Sequence, residues 1–428
     1  MKVLMFGWEF PPHITGGLGT ACYGLAKGLL KQGVEVVFVV PKAYGDEDHS
    51  VARIVDASGI EIDYRNKIYQ TYWRNLTYIE VGSNLVPYMG FEDYLRLENK
   101  SSASEFNSDS FYKRKFTFSG KYQSNLMDEV KQYAMVASTI AQQHDYDLIH
   151  AHDWLCYEAG IAAKAASGKP LVIHVHATEF DRSGENVNQV VYDIERRGMH
   201  AADKVMTVSN LTRQIVIERY GVDPSKVFTV YNAVEPIHYA KKIVNEKHVK
   251  EKIVTFLGRV TFQKGPEYFV EAAHRILQKD DNVRFVMAGS GDLLNKVVRR
   301  VAELGIGTKF HFTGFLKGLD VDRMFMMSDV YVMPSISEPF GISPLEAMRA
   351  HVPVVISNQS GCAEILEHAL KVDFWDIDAM SNAIYGLLHY DTLHQLFSKK
   401  GAEEVNNLKW ENAALNNLKI YNKALNLK

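Results

Sequence analysis

Two glutamates with seven residues between them, Glu338 and Glu346, lie in a stretch that could bind both an anion and sugar hydroxyls. The stretch, Ser335 to Met348, reads as a strand end, a turn and a helix start. The apolar run Val330–Met333 stops at Pro334, a helical pattern takes in Leu345, Met348 and Ala350, and Val352–Ile356 returns to strand character. Ser343 reads as the helix N-cap, Pro344 as the first helical position and Glu346 as the third, which makes a capping box. The backbone N–H groups near Gly341 and Ile342 then sit at the positive end of the helix, where a phosphate is well placed. Gly341 permits close approach. Glu338, beside Pro339, is not spent on a cap, and a carboxylate on such a rim accepts hydrogen bonds from sugar hydroxyls. The stretch alone fits a phosphosugar site or an ordinary strand-to-helix corner.

Other residues could do chemistry at strand ends. Arg259 and Lys264 could neutralise a diphosphate, one as a planar fork and the other as a point charge, or be solvated surface cations. Their place opposite the Glu338–Glu346 stretch in strand order favours the first. His150-Ala151-His152-Asp153-Trp154 and His174-Val175-His176 each put two imidazoles on one face of a strand. That spacing admits a metal, so a metal-dependent hydrolase is a rival function; satisfied hydrogen-bonding histidines are the plainer explanation. Turn chemistry accounts for the aspartate pairs Asp145/Asp147, Asp320/Asp322 and Asp376/Asp378, and no metal ligand set is assigned. Gly16-Gly17-Leu18-Gly19 matches neither the dinucleotide fingerprint nor the phosphate loop ending in Lys-Ser/Thr.

The elements that hold these residues alternate between strand and helix, as in a doubly wound parallel α/β sheet, and they do so twice. In the first half, strands read at Val3–Phe6, Val34–Val40, Asp147–His150, Leu171–His176, Lys204–Val208 and Val227–Tyr231. In the second they read at Lys252–Leu257, Val283–Ala288, Lys309–Phe312, Val330–Met333 and Pro353–Ile356. Helices read over Leu126–Gln143, Glu267–Leu277, Leu293–Leu304 and Val405–Leu425. Residues 42–121 interrupt the first pattern with an aromatic-rich insertion, a strand at Thr77–Val81 and a polar loop at Ser101–Ser110. Its aromatic residues read as a small satellite core, with a sugar-stacking platform as the alternative. The lysine-rich Ile237–Glu251 reads as a linker. The expected domains are thus 1–238 and 239–408, with 409–428 a helix packing back on the first domain. Two such sheets face each other across a cleft lined by strand C-termini and helix N-termini.

Composition narrows the classes. A chain of 428 residues exceeds one hydrophobic core, and its net charge of −3 without a dense basic run argues against nucleic acid. Cys22, Cys156 and Cys362 are odd in number and far apart, which supports neither a disulfide framework nor a cysteine zinc site. The apolar run before Pro11-Pro12 is too short for a signal peptide or a membrane span, so the expected location is the cytoplasm, without stable membrane insertion.

Taken together, the chain resembles the retaining nucleotide-sugar glycosyltransferases with two facing Rossmann-like domains, the GT-B fold, and among them family 4, close to the glycogen and starch synthases. The most specific likeness is the glutamate pair Glu338 and Glu346, the first of them within Ser335-Ile336-Ser337-Glu338-Pro339-Phe340-Gly341. Gly258-Arg259 with Lys264-Gly265 resembles the family's diphosphate clamp, and Gly16-Gly17-Leu18-Gly19 the first-domain loop that faces it. The segment from His150 to Trp154 is similar to the His-x-His-Asp-Trp of bacterial glycogen synthases. By that resemblance His152 is the active-site histidine beside the donor sugar, Glu338 binds sugar hydroxyls, Glu346 the nucleotide ribose, and Arg259 with Lys264 the diphosphate. Gly16, Gly17, Gly341 and Ile342 line the phosphate site.

The resemblance implies retaining, metal-independent transfer of a hexose, most readily glucose, from a UDP- or ADP-sugar to an α-glucan such as glycogen. No cofactor is implied, since the nucleotide sugar is a co-substrate. A lipid-linked or cell-surface saccharide is the alternative acceptor; a non-catalytic sugar-nucleotide binder or an epimerase of the same fold are further readings. One departure stands out. The ADP-glucose-using bacterial synthases carry Lys-x-Gly-Gly-Leu in the first loop, where this chain has Ile14-Thr15-Gly16-Gly17-Leu18. The donor nucleotide therefore stays open, and Glu179, Asp181 and Arg182, after His176, have no assigned role beyond a place on the acceptor side.

Overall fold

The computed structural model describes residues 1–14, 16–63, 113–120, 122, 126–235 and 249–427. In the first half, strands β1 (Lys2–Phe6), β2 (Glu35–Val40), β3 (Arg53–Asp56), β6 (Leu148–His152), β7 (Leu171–Val175), β8 (Lys204–Thr207) and β9 (Val227–Thr229) form one sheet. Its order is β3-β2-β1-β6-β7-β8-β9, and every pairing is parallel. The hairpin β4 (Glu61–Asp63) and β5 (Lys113–Lys115) stands apart. The helices of this half are α1 (Gly17–Lys31), α2 (Leu126–Gln143), α3 (Trp154–Ser167), α4 (Glu179–Ser183), α5 (Gln189–Ala201) and α6 (Asn210–Tyr220).

Alternate residues of each strand serve opposite faces of this sheet. Leu4, Phe6, Val37, Val39, Ile149 and Ala151 join one core with α2 and α3, whereas Val3, Met5, Val36, Phe38 and Leu148 join a second core with α1. Both faces are covered, which is why the strands read as unbroken apolar runs. His150 and His152 continue the Leu148 face, and so point toward α1.

The second half repeats the architecture with β10 (Lys252–Leu257), β11 (Val283–Ala288), β12 (Phe310–Gly314), β13 (Val330–Met333), β14 (Val354–Ser357) and β15 (Leu370–Val372). These run in the order β12-β11-β10-β13-β14-β15, again all parallel. Its helices are α7 (Pro266–Leu277), α8 (Leu294–Glu303), α9 (Leu319–Met327), α10 (Ile342–Arg349), α11 (Ile377–His389) and α12 (Asp391–Val405), and α13 (Trp410–Ala424) closes the described chain. Strand order reverses between β1 and β6 in one sheet and between β10 and β13 in the other. At such a switch point the flanking loops diverge and leave a crevice for a ligand. The loops after β1, β6, β10 and β13 carry the residues singled out above.

Some readings need correction. β3 lies inside the expected insertion as an edge strand, and Phe118, also within it, packs in the main core edge-on to Tyr133 at 6.1 Å. Thr77–Val81, Ser101–Ser110 and most of the linker fall outside the described residues. The reading of Val405–Leu425 as one helix fails at Asn406–Lys409, where the asparagines allow a turn and Leu408 accepts a hydrogen bond from the Val234 N–H at 3.2 Å.

That turn lets α13 cross back onto α1. Gly24 and Gly28, one helical turn apart, leave a groove filled by Trp410 and Ala414, and Tyr421 on the same helix reaches His150. A methyl group at Gly28 would lie 2.5 Å from the Trp410 carbonyl oxygen, a backbone atom that cannot swing aside. We therefore expect Gly28→Ala to cost about 1–3 kcal/mol through overpacking, despite the better helix propensity of alanine. Urea unfolding checks this, and an unchanged or raised midpoint would show that the groove is not closed by α13.

Candidate active site

The second-domain wall is built from two loops braced against each other. After β10, a turn of 3-10 helix at Phe262–Lys264 ends at Gly265, whose φ of +60° suits glycine and where a Cβ would stand 2.2 Å from the Pro334 carbonyl oxygen. Only glycine lets this loop press on the end of β13. The Ile336 N–H then donates to the Gln263 carbonyl at 2.9 Å, and the Lys264 ammonium meets the Glu338 carboxylate. Glu338 is buried, and Ser335 Oγ donates to the same carboxylate oxygen at 3.3 Å. Its backbone is held from the other side, Glu338 N–H to Gln359 O and Gly361 N–H to Glu338 O, each at 2.9 Å.

The capping box is not formed. Gly341, with φ +95°, turns the chain so that α10 starts at Ile342, two residues earlier than expected, and no side chain caps it. The Ser343 hydroxyl faces Tyr331 instead. Glu346 is thereby released from capping. Among the described residues its carboxylate has no hydrogen-bond partner, and burial raises its pKa against the opposing pull of Arg349.

On the first-domain wall, α1 also begins without a side-chain cap, at Gly16, although the Gly19 N–H reaches Glu9 Oε1 at 3.3 Å. Behind it lie four imidazoles. His152 pairs with His174 across β6 and β7, and its Nδ1 is 2.9 Å from His176 Nε2. The rings of His150 and His152 are near parallel with centroids 4.2 Å apart, as are those of His174 and His176 at 4.4 Å. His150 Nδ1 is 2.6 Å from the Tyr421 hydroxyl. Burial holds all four neutral, with His176 lowered to about 3. Among the described residues, the Nε2 atoms of His150 and His152 and both ring nitrogens of His174 are buried without a hydrogen-bond partner.

Sequence reasoning gave Arg182 no role, yet it organises this wall. Its guanidinium reaches Asp153 at 3.2 Å, Glu195 at 2.8 Å and Glu179 at 3.7 Å. Asp153 follows His152 directly and has φ +58°, ψ 167°, a conformation costly for any residue but glycine. Trp154 N–H to the carboxylate, the Asp153 N–H to His174 O and the Arg182 contact hold it there. The signal available in sequence was the run of charge from Glu179 to Arg182 just after a strand end.

The two walls meet. The side-chain tip of Ile342 lies 4.0 Å from where a Cβ on Gly17 would be, so the uncapped starts of α1 and α10 face each other. Ser337 Oγ donates to Asp181 Oδ1 at 2.6 Å, and Glu364 accepts from the Asn210 and Leu211 N–H groups at the start of α6. Beside this junction a cavity of about 510 Å³ is lined by Trp8, Phe10, Tyr44 and Tyr122, by Glu9 and Glu47, and by Lys317 from the second domain.

Comparison with known proteins decides the family. Residues 2–229 match the starch synthase catalytic domain family and residues 240–404 the glycosyl transferases group 1 family. The first match spans more than half of the chain, which belongs to the starch synthase catalytic domain family. It is similar to an uncharacterized glycosyltransferase of Methanocaldococcus jannaschii, 28% identical over 87% of this chain and 84% of that protein. It is also similar to the Escherichia coli UDP-Gal:α-D-GlcNAc-diphosphoundecaprenol α-1,3-galactosyltransferase, 28% identical over 57% of this chain and 67% of that one. In fold it is similar to the sucrose-phosphate synthase of Thermosynechococcus elongatus, with TM-score 0.70 and 18% identity over 99% and 98% of the two chains.

In this glycosyltransferase the sequence-selected residues fall at the two switch points. Gly16 and Gly17 line the first wall with His152 buried behind them, and Arg259, Lys264, Glu338, Gly341, Ile342 and Glu346 belong to the loops and helix start of the second. Lys264 and Glu338, given separate duties by the sequence, are partners in the structure. Arg259 is exposed, with one long contact to Gln263 Oε1 at 3.4 Å. The family match sets aside the metal-dependent hydrolase.

Proposed function

We propose that this enzyme transfers a hexose, glucose in the leading reading, from a nucleoside diphosphate sugar to an α-glucan acceptor, with retention at the anomeric carbon and without a divalent metal. The observation that carries the reading is the meeting of two uncapped helix N-termini, α1 at Gly17 and α10 at Ile342, with Lys264 and Arg259 on adjoining loops. Free N–H groups with cations on adjoining loops suit the charge of a departing diphosphate. Lys264 would exchange Glu338 for the diphosphate, freeing the carboxylate for sugar hydroxyls, and Glu346 would take the ribose. His152 would orient the sugar. The bond from the anomeric carbon to the phosphate oxygen breaks as the acceptor oxygen approaches the same face, and the leaving phosphate takes the acceptor proton. Neither glutamate then needs to become covalently attached.

The cavity lined by Trp8, Phe10, Tyr44 and Tyr122 would hold the acceptor, since aromatic faces stack on sugar rings and carboxylates bind hydroxyls. A saccharide linked to lipid diphosphate is the second reading. Lys42 and Lys317 at the same cavity favour an anionic acceptor, and the E. coli relative named above uses one. The described residues contain no helix long and apolar enough to cross a membrane. Three buried free cysteines suit the reducing cytoplasm.

The test is nucleotide release from UDP-, ADP- and GDP-sugars, with and without glycogen or maltooligosaccharide, in the presence of EDTA. Glucan-dependent release from a glucose donor is expected. Release that ignores glucan but responds to a diphosphate-linked saccharide would transfer the case to the second reading, and loss of turnover in EDTA would contradict metal independence.

A further inference from the structure

Cys22 Sγ and one ring nitrogen each from His152 and His176 lie within 4.8 Å of one another. We propose that these three side chains form a site for a zinc-like cation that borders the sugar pocket and switches transfer off when filled. Three features support it. His152 Nδ1 and His176 Nε2 already converge at 2.9 Å through a shared proton. Two nitrogens on a tetrahedral zinc, each about 2.0–2.1 Å from it, stand about 3.4 Å apart, so a small widening exchanges the proton for the metal. The Cys22 thiol comes from the facing helix α1, so the three donors approach from three elements, α1, β6 and the end of β7, rather than along one strand. Burial first, and then the carboxylates of Glu9 and Asp153, keep that thiol protonated in the empty site, and the same carboxylates would offset the charge of a bound cation.

Soft sulfur and imidazole donors select zinc and its neighbours over magnesium or calcium. A cation would enter past His176, which is partly buried, whereas Cys22 and His152 are fully buried. On binding, the thiol loses its proton to solvent, and the proton shared by the two imidazoles moves to the other nitrogen of its own ring. One proton is released per cation. With the metal on Nδ1, His152 is locked in the tautomer that carries its proton on Nε2 and is pulled toward α1. The binding claim stands alone; the inhibitory claim rests on the proposed role of His152 beside the donor sugar.

Cobalt(II) added to the reduced, full-length protein tests the binding. One equivalent should bind with a sulfur-to-cobalt charge-transfer band that Cys22→Ser removes and Cys362→Ser keeps, and His176→Gln should weaken binding roughly tenfold or more. X-ray absorption of the zinc-loaded wild-type protein needs no variant and should show one sulfur at about 2.3 Å with nitrogen neighbours at about 2.0 Å. No stoichiometric binding, a shell without sulfur, or a band surviving in Cys22→Ser would overturn the site. Zinc should also abolish transfer, and EDTA should restore it. Stoichiometric binding with undiminished transfer would overturn the inhibitory claim and leave the site standing.

Discussion

Lys264→Met should lower kcat by about 10²–10³-fold, equivalent to roughly 2.7–4 kcal/mol of lost stabilisation of the departing diphosphate. It should also destabilise the fold. Lys264 and Glu338 are both largely buried, at 19% and 8% side-chain exposure, and without the ammonium the Glu338 carboxylate keeps, among the described residues, only the 3.3 Å bond from Ser335. Breaking a buried pair from one side costs about 3–5 kcal/mol, because the surviving charge stays desolvated. The two effects separate in a double variant. Adding Glu338→Gln to Lys264→Met removes the orphaned charge, so the urea midpoint should recover while turnover does not. Recovery of both would show that the lysine serves the fold alone.

The second large effect falls on stability. Arg182→Met should cost about 3–5 kcal/mol, because it leaves Asp153, Glu179 and Glu195 without their shared cation. The size of the loss should depend on pH. Burial pushes the Glu195 carboxyl up to about 7, so the folded protein holds a proton there that the unfolded chain has given up. This contribution to stability is full below the usual glutamate range and is lost as pH rises through about 7. Without Arg182 the folded-state pKa moves higher still, so the deficit of the variant should grow from about pH 6 to about pH 9. Urea unfolding across that range measures it, and a deficit that shrinks with pH would contradict the arrangement. Turnover should fall as well, since Arg182 anchors the strained Asp153 next to His152.

Much of the fold was legible because its signals are local and repeated. Buried parallel strands such as Val3–Phe6 and Val330–Met333 are short apolar runs bounded by turn residues. Edge strand β3 was missed because Arg53 to Asp56 lack that unbroken apolarity, and the break before Trp410 because two asparagines can sit in a helix or a turn. The site was partly legible, since glycine, histidine and glutamate gather at strand ends. What sequence could not supply were relations across space. It assigned Glu346 to a cap that Gly341, by its left-handed turn, makes unnecessary. It separated Lys264 from Glu338, although Gly265 exists to let their loops touch. Nor could it show that Arg182 binds three carboxylates, because two of its partners, Asp153 and Glu195, lie on other elements.

The proposed reaction moves the sugar, with its configuration kept, to an acceptor hydroxyl. The most direct measurement is a proton magnetic resonance time course of the anomeric signals with an α-linked nucleotide-glucose donor and a maltooligosaccharide acceptor. The donor signal should give way to that of a new α-linked residue on the acceptor. A β-linked product, or free glucose with the acceptor unchanged, would contradict it.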